Sequence, residues 1–216
     1  MTLGLRRVLR PVDTLDGRVV DAVAKRRSRP LDAVFLPLSF AGALGLPWVV
    51  LASALRWRWR GGERLALPAA AATIVGGWAA GKGMKKLAFR ERPCHGNGPD
   101  AVTRCPDSSS FPSDQAAAAF AGAATLAAAF PELALPLYAA AAATAFARIY
   151  VRVHHPSDVA AGALAGVAVA RAAQRLAPGW PAPQAPTTSS SRPCAASSSA
   201  FRSRRPAGRA PRAFRR

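Results

Sequence analysis

Three short stretches hold the residues whose types and spacing suit phosphate chemistry: KKLAFRERP at 85–93, SSSFPSDQA at 108–116 and ARIYVRVHHPSD at 147–158. They supply Lys85, Arg92, Ser113 and Arg148 as cations and hydrogen-bond donors, and His154 followed four residues later by Asp158. A phosphoryl group in transfer spreads negative charge over its equatorial oxygens, so its site needs fixed cations more than a metal or a redox centre. Arg suits this task because its planar fork donates two parallel bonds to phosphate oxygens. Ser113, at the start of a predicted helix, adds a hydroxyl and a backbone N–H aimed at the anion. His154 is then the candidate nucleophile, forming a phosphohistidine that water hydrolyses. Asp158 is placed to accept the other imidazole N–H, fixing the tautomer and stabilising the cation that forms.

These blocks resemble the three signatures of the type 2 phosphatidic acid phosphatase superfamily: Lys-x6-Arg-Pro, Pro-Ser-Gly-His and Ser-Arg-x5-His-x3-Asp. The first matches at Lys85, Arg92 and Pro93, and the third at Arg148, His154 and Asp158. The second keeps Pro112 and Ser113, but Asp114 stands where Gly is usual, and Gln115 stands at the position of a catalytic His. Ala147 also replaces the usual Ser. The resemblance implies an all-α integral membrane bundle of about five transmembrane helices, and a membrane lipid phosphatase or diphosphatase that needs no metal or other cofactor.

Gln115 is the chief departure. The His at that position of the family protonates the departing alcohol, a contribution of about 10² to 10⁴ in rate. A Gln amide donates a hydrogen bond but releases no proton at neutral pH. The loss weighs most on a basic alkoxide leaving group and least on a phosphate, so a polyprenyl diphosphate is the expected substrate, ahead of a lipid monophosphate. The alternative is a catalytically impaired relative that binds lipid phosphates without turning them over. His95, just beyond Arg92-Pro93, is a candidate substitute acid.

The elements that must position these residues are apolar helices. Segments 31–55, 65–81, 116–130, 133–147 and 159–170 are apolar, the last three Ala-rich. The first is long enough for a ~30 Å hydrocarbon layer; the last three are short, and their Ala and Gly content suits close helix packing in a bilayer. Alternate crossings put the three motif blocks on one membrane face. The formal charge of +19 is carried mostly by Arg beside the apolar runs and in the tail. That placement fits anionic lipid headgroups and disfavours a nucleic-acid partner. Arg-for-Lys and Ala-rich usage suits a GC-rich bacterial genome.

Residues 1–29 read as an amphipathic interfacial helix, 30–177 as the phosphatase domain, and 178–216, rich in Pro, Ser and Arg, as a disordered basic tail. No signal peptide is read at the N-terminus. RWRWRGGER at 56–64 and the tail favour the cytoplasm, whereas KRRSR at 25–29, on the motif side, pulls the other way. The resemblance implies a plasma-membrane protein with its site on the extracytoplasmic face. Cys94 and Cys105 share the loop between the first two blocks and either form a disulfide or stay as two thiols.

Overall fold

The computed structural model describes residues 3–43, 47–48, 50–51, 53–54, 66–86, 89–95 and 105–176. Among them there is helix and loop and no strand. Besides helical residues within 47–54, the described residues form six α-helices in order: α1 (Leu3–Lys25), α2 (Arg29–Ala43), α3 (Ala66–Lys85), α4 (Asp114–Ala129), α5 (Ala134–Tyr150) and α6 (Pro156–Leu176). The last four match the expected apolar segments 65–81, 116–130, 133–147 and 159–170 to within a few residues. Part of the expected 31–55 segment and all of 56–64 and 178–216 lie outside the described residues. The chain divides into two units, Met1–Gln184 and Ala185–Arg216, and only the first is described here.

α4 is the central helix, packed against α3, α5 and α6. Its Ala-rich sequence leaves both flanks narrow, and glycines on the neighbours bring backbones into contact. A Cβ on Gly162 would lie 2.2 Å from the Ser113 carbonyl oxygen, and one on Gly166 would lie 2.1 Å from that of Ala117. On the other flank, Gly81 of α3 meets Asp114 Cα, with a hypothetical Cβ at 2.7 Å. Small residues four apart thus form a seam on each side of α4, the packing mode that suits an apolar solvent, where van der Waals contact drives helix association. Thr73 Oγ1 and Thr125 Oγ1, 2.8 Å apart, join α3 to α4 within this core.

Residues 131–150 form the one span among the described residues that is long and apolar enough by itself to cross a membrane. The other helices contain more Gly or charge, or are shorter. Each therefore falls short when judged by length and composition alone.

Candidate active site

The start of α6 and the start of α4 meet at the Gly162 seam. There the Ser113 N–H donates to the Asp158 carbonyl at 3.0 Å, and Ser113 Oγ caps α4 by accepting from the Ala116 N–H at 3.4 Å. The Ser113 N–H is therefore spent within the fold and does not point at an anion, contrary to the sequence expectation. The side-chain hydroxyl keeps its own proton to donate.

A Schellman ending of α5 delivers the histidine. Arg152 takes φ 61°, and the Val153 and His154 N–H groups both donate to the Arg148 carbonyl, at 3.1 and 3.2 Å. Such left-handed C′ residues are usually Gly; Arg here bends the chain so that the His154 N–H folds back onto the Arg148 carbonyl. His154 is 1% exposed and Asp158 0%.

The Arg92 guanidinium lies against this histidine. Its Nη1 donates to the Val153 carbonyl at 2.8 Å and lies 3.3 Å from His154 Nε2. Nε donates to Ser108 O at 2.8 Å, and Nη2 to Ser108 Oγ at 3.0 Å and Ser109 O at 3.1 Å. An Arg side chain has five N–H donors and no acceptor, so all five are occupied and His154 Nε2 must accept. The imidazole proton then sits on Nδ1, and the lone pair on Nε2 faces the cations. Burial, with the charges of Arg148, Arg92 and Lys85, pushes His154 down to about 4 against the pull of Asp158, so the ring is neutral near pH 7.

His154 Nδ1 has no hydrogen-bond partner and stands 3.8 Å from Asp158 Oδ2, outside the direct bond expected from the sequence. Asp158 is engaged elsewhere. Its Oδ1 accepts from Arg90 Nη1 at 2.6 Å, and its Oδ2 from the His155 backbone N–H at 2.8 Å and lies 3.2 Å from His155 Nδ1.

Lys85 is also occupied. Its Nζ donates to Asp114 Oδ1 at 3.0 Å, and Lys82 lies 3.8 Å from the second carboxylate oxygen. The Asp that replaces the family's Gly therefore fills part of the cationic pocket itself. Arg148 is held by Nη1 on Ser39 of α2, through its hydroxyl and its carbonyl, while its buried Nε has no partner. Gln115 Oε1 is likewise buried without one. Buried polar groups are ordinarily satisfied; His154 Nδ1 and Arg148 Nε, both unsatisfied within one cluster of cations, mark a place suited to an anionic ligand.

The remaining candidate, His95, is exposed. Its Nε2 lies 3.3 Å from the Pro106 carbonyl, within its own loop. Cys94 and Cys105 are joined as a disulfide with Cα atoms 5.9 Å apart. Their closeness to His95 gives no thiolate ligands for a metal, because both sulfurs are in the bond. Residues that the motifs did not select are Arg90, Asp16, Ser157 and Ser39. Arg90 and Ser157 carried a local hint, as residues inside Lys-x6-Arg and His-x3-Asp.

With this geometry in hand, the family is settled. A model of the PAP2 superfamily matches residues 65–180, more than half of the 216-residue chain, and the chain belongs to that superfamily. The fold is similar to the crystal structure of the first transmembrane PAP2 type phosphatidylglycerolphosphate phosphatase from Bacillus subtilis. The TM-score is 0.61 at 21% identity, over 76% of this chain and 85% of that one. It is also similar to Aquifex aeolicus LpxE, with TM-score 0.61 at 21% identity over 73% of this chain and 93% of that one. Comparison with curated proteins gives no match.

Proposed function

We propose that this chain is an integral membrane lipid phosphatase or diphosphatase working through a phosphohistidine, with a preference for a polyprenyl diphosphate. The observation that carries the reading is the buried, neutral His154 whose Nε2 lone pair faces Arg92 in a pocket shared with Arg148 and Lys85. Family membership and the two similar phosphatase folds support the reaction class.

In the proposed reaction the terminal phosphate enters beside Lys85 and Arg148, taking Lys85 from Asp114 and engaging the free Arg148 Nε. His154 Nε2 attacks phosphorus, the bond to the leaving oxygen breaks, and the leaving group departs with the electron pair. Asp158 stabilises the imidazolium so formed. Water then attacks the phosphohistidine, giving inorganic phosphate and free His154. A lipid monophosphate leaving group is a basic oxygen, which Gln115 cannot protonate, while a departing phosphate needs no such proton. The first 29 residues, the phosphatase domain at 30–177 and the tail at 178–216 remain the proposed division. The disulfide supports an extracytoplasmic site, since disulfides persist in oxidising compartments.

A second reading is supported by the Asp114 carboxylate on Lys85, together with Gln115: a protein that holds lipid phosphates without hydrolysing them. Phosphate release from a prenyl diphosphate by detergent-purified protein separates the two, with His154→Ala prepared identically. Turnover lost in the variant is expected; equal background in both leaves the binder. Faster cleavage of phosphatidate than of the diphosphate at matched concentration rejects the substrate preference.

A further inference from the structure

Arg90 joins three acidic side chains around the first turn of α6. Its Nη1 donates to Asp158 Oδ1 at 2.6 Å and to Ser157 Oγ at 2.7 Å. Its Nη2 donates to Asp16 Oδ2 at 2.7 Å and Asp13 Oδ1 at 2.6 Å. Asp16, only 4% exposed, also accepts the Ser157 backbone N–H at 3.0 Å and the Ser157 hydroxyl. A carboxylate from α1 thus caps the helix that bears Asp158, a placement favoured by the free N–H groups there.

We infer that Arg90 and Asp16 are positioning residues for the His154–Asp158 pair, fixing the Asp158 carboxylate and setting how much of its charge His154 feels. The inference rests on His154 being the nucleophile. A carboxylate with no solvent exposure must be compensated by charge and hydrogen bonds. Neutral His154 gives no charge, so Arg90 does. When phosphorylation makes the imidazole cationic, Asp158 has to serve it too, and its Oδ2, held at 3.8 Å, is the oxygen within reach.

Asp16 controls this division. While it shares the Arg90 charge, part of the Asp158 charge is left for the histidine; without it, Arg90 keeps only the exposed Asp13 as a second acidic partner and more of its charge goes to Asp158. The two substitutions therefore act on His154 with opposite sign. Removing the Arg90 cation leaves Asp158 more strongly negative, favours imidazolium and raises the His154 titration. Removing the Asp16 anion lowers it. The other charged or titratable groups around the ring are unchanged in both variants: Lys85 of α3, Arg92, Asp114 of α4, Arg148 of α5, and His155.

Histidine NMR on 15N-labelled protein in detergent tests this directly, because the chain has only three His and His154→Ala assigns the resonance. In Arg90→Gln the His154 titration is expected to move up, in Asp16→Asn down, and in Arg90→Lys to stay near the parent. Turnover of the prenyl diphosphate should fall about 10- to 100-fold in kcat for Arg90→Gln, as for one lost charge-assisted hydrogen bond, with KM changing much less. Unmoved titrations, or shifts of the same sign in Arg90→Gln and Asp16→Asn, overturn the inference. If Arg90→Gln does not fold, the sign in Asp16→Asn decides alone. Opposite shifts in a protein with no turnover would uphold the arrangement and sink the phosphatase reading instead.

Discussion

Gln115 and His154 make separable demands on the chemistry. Gln115→His restores a proton donor at the position where the family has one. The variant is expected to gain about 10-fold or more on a lipid monophosphate and little on a prenyl diphosphate, as measured by kcat for each. Equal gains on both would show that the leaving group was not the limiting feature. The pH profile follows from His154. In the free enzyme it is pushed down to about 4, so the nucleophile is lost only as pH falls through that value. The acid limb of kcat/KM is expected near there, well below the ordinary histidine range. Bound phosphate offsets the surrounding cations and favours the protonated ring, so the acid limb of kcat should lie higher. The candidate nucleophile His154 and the cations Lys85, Arg92 and Arg148 were legible as a set because phosphate chemistry selects few residue types and the spacing is local. The state of their donors was not: that Arg92 is saturated within the protein, or that Lys85 already holds Asp114, depends on groups brought in by folding.

At the scale of the helices, the Gly seams hold the two halves of the pocket in register. Gly166→Val would push side-chain atoms into the α4 backbone at Ala117, where even a Cβ sits at 2.1 Å. A loss of about 2 kcal/mol or more is expected, larger than for the same change at Gly83, whose Cβ meets nothing within 4 Å. Thermal unfolding in detergent checks the difference, and equal melting temperatures would contradict the seam. Helices α3 to α6 could be read from the sequence because each is an apolar run bounded by Pro, Arg or polar residues. The docking of α1 could not. Asp16 and Arg90 are 74 residues apart, and no periodic pattern in either segment announces the other. In α1, Asp16 and Val20 turn inward, while Val12, Leu15 and Val19 remain exposed. That outward stripe suits a helix lying at the lipid boundary.

For the molecule as a whole, charge and disulfide chemistry bear on which way the bundle faces. Charge runs at 25–29 and 56–64 pull in opposite senses, so the sequence pattern balanced itself out. The Cys94–Cys105 bond adds a chemical argument that charge counting lacked. With Cys194 changed to Ser, intact cells treated with a membrane-impermeant reductant and then an impermeant maleimide should label Cys94 and Cys105. Labelling only after permeabilisation would place the site on the cytoplasmic face.

The saturated Arg92 has a consequence for how the resting protein meets reactive reagents. Its Nη1 covers the His154 Nε2 lone pair at 3.3 Å, and the ring is almost wholly enclosed. In this arrangement the His154 ring is masked from acylating and alkylating compounds. Exposed His95 is the ring that such reagents meet first.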